Sequence, residues 1–257
     1  MRIAAAQMDI AWHDRTANHN HARPLAKEAK ASGSEILIFP EMFSTGFSMD
    51  TAVTGEPKNG ATPTFLRSLA RDLRMVVVGG FAMADTGKKP MNVALTVDPW
   101  GKDLALYAKI HQIALLEENT YYEAGERAIP FALGPLKTAC LICFDLRFPE
   151  LFRALADHCG LILVIASWPA ERQAHWDVLL RARAIENQCY VLGLNRVGEG
   201  GGLTFTGGSA IIDPAGEMIA SGGENETLLI ADIDPERVGA IRSAMPFLKQ
   251  RKFHPFL

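Results

Sequence analysis

Short apolar runs alternate along this chain with stretches whose apolar positions recur at helical spacing. Arg2 to Met8 is a β-rich run, and Thr16 to Ala31 is a polar helix with a thin apolar face. Glu35 to Phe39 follows as an apolar strand bounded by Gly33 and Pro40, which closes a β-α-β unit ending at Glu41. Thr62 to Leu73 fits a helix, and Met75 to Phe81 a strand carrying Gly79 and Gly80. Asn92 to Val97 and Asp103 to Tyr107 are strand-like, and Asp98-Pro-Trp-Gly101 between them suits a hairpin turn.

The second half repeats the alternation. Ala139 to Phe144 reads as a buried strand, and Pro149 opens an amphipathic helix over 149–157. Leu161 to Ala166 is a continuous aliphatic strand, so a second β-α-β unit is expected there. Gln173 to Gln188 is a helix with Trp176, Leu179, Leu180 and Ala184 on one buried face. Cys189 to Leu194 is the next strand, and the glycines of 198–202 predict a flexible loop, since the helix of a nucleotide-binding fingerprint does not follow. Ser209 to Ile212, Glu217 to Ala220 and Thr227 to Ile233 read as antiparallel strands, and Pro235 to Ala244 as a closing helix. The basic, aromatic tail to Leu257 is expected to pack on the body or on another subunit. The whole pattern predicts an α/β protein with mixed parallel and antiparallel sheets, folded as one domain over 1–257.

Charge narrows the function classes. With 26 basic and 29 acidic residues the net charge is −3, and no basic stripe with interleaved aromatics is present, so nucleic acid is not an expected partner. No apolar run reaches the roughly 18 residues of a membrane span, which predicts a soluble, cytoplasmic protein. Four cysteines, at 140, 143, 159 and 189, are too few for a disulfide framework and lack zinc-finger spacing. Reduced thiols and no structural metal are expected.

Candidate chemistry gathers where strands stop. Cys143 lies between a strand and a helix, a turn that exposes a side chain at a sheet edge beside free backbone N–H groups. Taken alone it also fits a small buried hydrophobe. A redox pair with Cys140 is disfavoured, because three residues of strand span about 10 Å, whereas a disulfide needs Cα atoms within about 7 Å. Glu41 follows a buried strand and a proline, which suits a site-facing carboxylate as well as a helix-start glutamate. Lys109 ends the Asp103 to Tyr107 run, a place where a lysine is usually solvated. Phe43 and Phe47, in a loop beyond Glu41, and Trp168, after the Leu161 strand, are candidates for a pocket wall. His111 reads as a packing or surface histidine. Arg172, Arg181 and Arg183 read as ion-pair partners, with one of them a candidate for a substrate carboxylate.

Together, Phe39-Pro-Glu41, Tyr107-Ala-Lys109-Ile-His and Cys143-Phe-Asp-Leu-Arg-Phe-Pro149 resemble in order and spacing the signature segments of the nitrilase superfamily of carbon–nitrogen hydrolases. The resemblance runs from the first strand to Pro246. It implies a four-layer αββα sandwich that dimerises, and a cysteine amidase without metal or organic cofactor. Carried over, Glu41 is the general base, Lys109 the cationic stabiliser, Cys143 the nucleophile and the backbone N–H of Phe144 an oxyanion donor. The second glutamate of such enzymes falls on Glu118 rather than Glu117. Phe39 to Met49, Ala166-Ser-Trp-Pro169, His175-Trp176 and Arg181 to Gln188 look most like the bacterial ω-amidase branch. That branch acts on small amides of 2-oxo acids, 2-oxoglutaramate and 2-oxosuccinamate. Another amidase or an N-carbamoyl amide hydrolase of the superfamily, and a non-catalytic member of the fold, are the alternatives.

Overall fold

The computed structural model describes residues 1–85 and 87–252. Two sheets carry the fold. In the first, the order is Thr227–Asp232, Arg2–Gln7, Ile36–Ile38, Val76–Met83, Met91–Val97 and Asp103–Ala108, with Gly55–Glu56 added beside Val76–Met83. Its centre is parallel and its margins antiparallel. In the second, the order is Met218–Ser221, Ala210–Ile212, Tyr190–Asn195, Leu161–Ala166, Leu136–Ile142 and Phe131–Leu133, again parallel in the middle and antiparallel outside. The expected mixture of pairings is therefore present in both sheets.

Strand periodicity explains the layering. Ile3, Ala5, Ile36, Ile38, Val78 and Ala94 point into one core, which they share with the second sheet. Their neighbours Ala4, Ala6, Leu37, Val77, Val93 and Leu95 point the other way, onto Ala22, Ala26 and Ala29 of helix Arg15–Ala31 and Phe65, Leu66 and Leu69 of helix Ala61–Leu73. Side chains that alternate by two thus build two interiors from one sheet. The outer face of the second sheet is covered by Phe152 and Leu155 of helix Pro149–Leu155 and by Trp176, Leu180 and Ala184 of helix Gln173–Asn187. Helix, sheet, sheet, helix is the four-layer sandwich that the nitrilase resemblance implies.

Two expectations need correction. The strand expected to reach Phe144 stops at Ile142, and Cys143–Arg147 form a 3-10 turn. The glycines of 198–202 belong to a hairpin, Val197–Gly200 paired with Leu203–Thr206. The hairpin is ordered from outside itself: Asp9 bridges Val197, and the indole of Trp12 lies against Gly200 and Gly201. Of the tail, Arg251 reaches Asp157, and positions 253–257 lie outside the described residues.

Candidate active site

In the first sheet, Asp103–Ala108 runs antiparallel to Met91–Val97, which runs antiparallel to Val76–Met83. It therefore points the same way as Ile36–Ile38, and Glu41 and Lys109 emerge at the same edge. Ser167, which ends Leu161–Ala166 in the second sheet, donates its backbone N–H to Glu41 Oε2 at 2.7 Å. The two sheets thus deliver their strand ends to one place, the edge where open α/β sheets hold their ligands.

Glu41 gets there by a close backbone approach. A Cβ on Gly80 would stand 2.7 Å from Glu41 Cα and from Met42 N. The central strand lacks a side chain at the point where the Glu41 segment crosses it. Met42 turns the chain in the left-handed region, with φ of 44°.

Lys109, Glu41 and Glu118 are all buried. Lys109 Nζ lies 3.0 and 2.9 Å from the two oxygens of Glu118 and 3.3 Å from Glu41 Oε1. Burial disfavours the Lys109 charge, but Glu41 and Glu118 more than offset it and hold the amine protonated, above its ordinary range. Burial also pushes the Glu41 carboxyl up, opposed by Lys109 and assisted by Glu118. Of the two neighbouring glutamates, Glu118 turns inward while Glu117 is exposed. Asn92, not singled out from the sequence, donates to Glu41 Oε1 at 2.7 Å and to Glu118 Oε1 at 3.3 Å.

Cys143 begins its turn at a φ of 46°, a conformation costly for a residue with a Cβ and one that clusters at functional sites. Its thiol contacts the Ser167 carbonyl at 3.8 Å. Burial and then Glu41 push the thiol well above its ordinary value, with Lys109 opposing. Burial thus favours the neutral thiol, and a base is needed to make the thiolate. Cys140 is buried in its strand, and all four cysteines are free.

The turn is held by Asp145, also missed from the sequence. Its buried carboxylate accepts from Tyr107 Oη at 2.6 Å, His111 N at 3.0 Å, His111 Nδ1 at 2.9 Å and Ile142 N at 3.0 Å. His111 is accordingly more than a surface histidine: it joins the strand end of Lys109 to the cysteine turn and stacks on Phe148 at 3.7 Å.

Phe47, Ile113, Leu116, Phe144, Trp168 and Pro169 line a narrow pocket with Cys143, Ser167, Arg147 and Arg172. Lys109 Nζ also lies over the Phe47 ring, 4.9 Å from its centroid. Trp168 is fixed by Asn195, which accepts from its backbone N–H at 2.7 Å. Phe43 is no wall of this pocket. It is fully buried behind the sheet, stacked on Phe39 at 4.8 Å and tilted against Phe65 at 6.3 Å. Arg183 pairs with Glu186 and the Leu146 carbonyl, and Arg181 donates to the Gly216 carbonyl. Arg172 pairs with Glu171 at 3.6 Å and also lines the pocket. Arg147 lines it too, its guanidinium 4.6 Å over Trp168; burial and then Arg172 lower its pKa. Among the described residues no cluster of three or more His, Cys, Asp or Glu side chains could hold a metal ion, and no helix is long and apolar enough to cross a membrane.

A four-layer sandwich with cysteine, lysine and two glutamates at one sheet edge defines a carbon–nitrogen hydrolase, and the chain belongs to that family, whose model matches residues 2–243. It is similar to the omega-amidase YafV of Escherichia coli K12, at 33% identity over 96% of this chain and 94% of that one. It is also similar to the 2-oxoglutaramate amidase of Bacillus subtilis, at 31% over 95% of each chain, and to the deaminated glutathione amidase of Synechocystis, at 34% over 98% of each. Among solved structures, XC1258 of Xanthomonas campestris, a CN-hydrolase superfamily protein with an arsenic adduct in its active site, superposes with a TM-score of 0.93 at 30% identity. That match covers 100% of this chain and 99% of the other. A Glu-to-Gln mutant of the amidase from Nesterenkonia sp. AN1, carrying acrylamide by Michael addition at the active-site cysteine, matches with a TM-score of 0.86 at 28% identity, over 96% and 98% of the two chains. The protein is a hydrolase acting on carbon–nitrogen bonds.

Proposed function

We propose that this single-domain protein hydrolyses the terminal amide of small 2-oxo acid ω-amides, 2-oxoglutaramate and 2-oxosuccinamate, to the 2-oxo diacid and ammonia. One observation carries the choice of substrate: two arginines, Arg147 and Arg172, stand in the narrow pocket that holds Cys143. A short acyl chain with a carboxylate at its far end meets both requirements, an amide at sulfur and an anion at guanidinium. The omega-amidase and 2-oxoglutaramate amidase relatives point the same way.

Glu41 takes the Cys143 proton as Sγ attacks the amide carbonyl, while Lys109 and the Phe144 N–H hold the oxyanion. The C–N bond breaks as Glu41 passes that proton to the amine, and ammonia leaves a thioester. Water, deprotonated by Glu41, adds to the thioester; collapse expels the thiolate, which takes the proton back. Glu118 orients Lys109 and shares its charge. No cofactor enters any step.

A second reading, hydrolysis of a longer amide, is favoured by the deaminated glutathione amidase relative, and the narrowness of the pocket weighs against it. The test is ammonia release from 2-oxoglutaramate, deaminated glutathione, glutamine, asparagine, an N-carbamoyl amino acid and a nitrile, with Cys143→Ala as control. Preference for 2-oxoglutaramate, lost in the variant while its circular dichroism is unchanged, is expected; activity retained by Cys143→Ala would sink the mechanism.

We also assign the enzyme to the cytoplasm, which suits four free cysteines, and to a homodimer. Val178 and Ile185, on the outer side of helix Gln173–Asn187, are 66% and 45% exposed, an apolar face that a second copy would cover. Sedimentation of Val178→Glu as a monomer against a wild-type dimer tests it.

A further inference from the structure

Asn92 touches both carboxylates of the buried set with its side chain and Lys109 through the backbone. Its amide nitrogen is 2.7 Å from Glu41 Oε1 and 3.3 Å from Glu118 Oε1, and its backbone carbonyl accepts from Lys109 N at 2.9 Å. The side chain is 1% exposed, and its Oδ1 has no hydrogen-bond partner. A buried unpaired acceptor is costly. The opposite amide orientation would pair nothing better and would set Oδ1 against two carboxylate oxygens. The orientation is therefore imposed by the negative charge, to which Asn92 gives both its N–H bonds.

That charge is in excess. One ammonium serves two carboxylates, and Lys109 lies nearer both oxygens of Glu118 than it does Glu41. Glu41 Oε1 is the oxygen left with the longer contact, and it is the one Asn92 approaches most closely. We propose that Asn92 is a positioning residue that keeps Glu41 ionised and aimed, by supplying the donor that a lysine shared with Glu118 does not.

The other groups facing Glu41 are accounted for. Lys109 and the Ser167 N–H favour its charge, while Glu118 opposes it. Cys143 shares its electrostatic field, and Tyr122, held neutral chiefly by burial, adds no charge. Without Asn92 the Glu41 and Cys143 pair retains a proton to higher pH, and the two titrate as a unit. The inference rests on Glu41 being the base for Cys143, as proposed above.

The test uses Asn92→Leu, which removes both donors at similar size, and Asn92→Asp, which replaces them with a third carboxylate. Two pH profiles are measured on each: kcat/KM for ammonia release from 2-oxoglutaramate, and the rate at which iodoacetamide alkylates Cys143. The expected result is an acidic limb moved up by about one pH unit in Asn92→Leu, the scale of one charge-assisted hydrogen bond. A larger move is expected in Asn92→Asp, with activity recovering at high pH in both. Loss of activity equal at every pH, with the limb in its wild-type position, would overturn the inference, and Asn92→Asp decides alone if Asn92→Leu does not fold. A wild-type protein that releases no ammonia and shows no preferential alkylation of Cys143 would instead overturn the functional reading, and the inference with it.

Discussion

The hydroxyl of Tyr107 donates a 2.6 Å hydrogen bond to Asp145, so a residue just before Lys109 is fastened to one just after Cys143. Burial, then the Asp145 charge, push the Tyr107 phenol far above its ordinary range and keep it a donor. Tyr107→Phe removes a hydrogen bond to a buried charge, a loss of about 1.5–3 kcal/mol, to be read from urea unfolding. kcat should fall with KM little changed, since the distance between lysine and thiol is what the bond secures; a variant with full kcat would show that the turn holds its own shape.

Phe43 and Phe47 should separate cleanly. Phe43→Ala opens a cavity among Phe39, Phe65 and Leu66 and should cost about 3–5 kcal/mol in a denaturation melt. Phe47→Ala should leave the melt nearly unchanged and alter kcat and KM, because its ring faces Lys109 and the pocket. Equal effects on both melts would contradict the assignment of one to the core and the other to the site.

Arg147→Met and Arg172→Met should raise KM for 2-oxoglutaramate by about 10- to 100-fold each, the range of a charge-assisted hydrogen bond. A neutral amide of similar length supplies the control. If its KM rises in parallel, the arginines shape the pocket and do not bind a carboxylate.

Acid stability should depend on His19. Its ring stacks on Phe65 at 4.4 Å, and burial, then Arg15 and Arg23, lower its pKa to about 4. The folded protein therefore binds this proton less readily than the unfolded chain, whose histidine titrates near pH 6.5. The stability linked to His19 is full above that value and is lost as pH falls toward 4. His19→Phe preserves the stack and should show a smaller fall in Tm between pH 7 and pH 4.5 than the wild type.

Much of this arrangement is legible in the residue order, for reasons that individual positions make plain. Glu41 and Cys143 each follow a buried apolar run and Lys109 follows a strand that is largely exposed, and a strand end is a local feature. Asn92 and Asp145 are not legible in the same way. A lone polar residue beside an apolar run says nothing of its partners, and the side-chain partners arrive from 26 to 51 positions away for Asn92 and from as far as 38 for Asp145. Phe43 and Phe47 share one loop. Which of them faces the pocket depends on the left-handed turns at Met42 and Gly46, which aromatic content does not reveal. The hairpin at 197–206 escapes for a similar reason, since its glycines are ordered by Trp12 and Asp9, far off in the chain.

Gly80 has no functional group, yet Glu41 can stand where it does only because that position is bare. A methyl group there would lift the Glu41 backbone off the sheet and carry the carboxylate away from both lysine and thiol. The chemistry of this enzyme is thus partly written in an absence, and a search for its determinants confined to reactive side chains would pass over the residue that fixes where they meet.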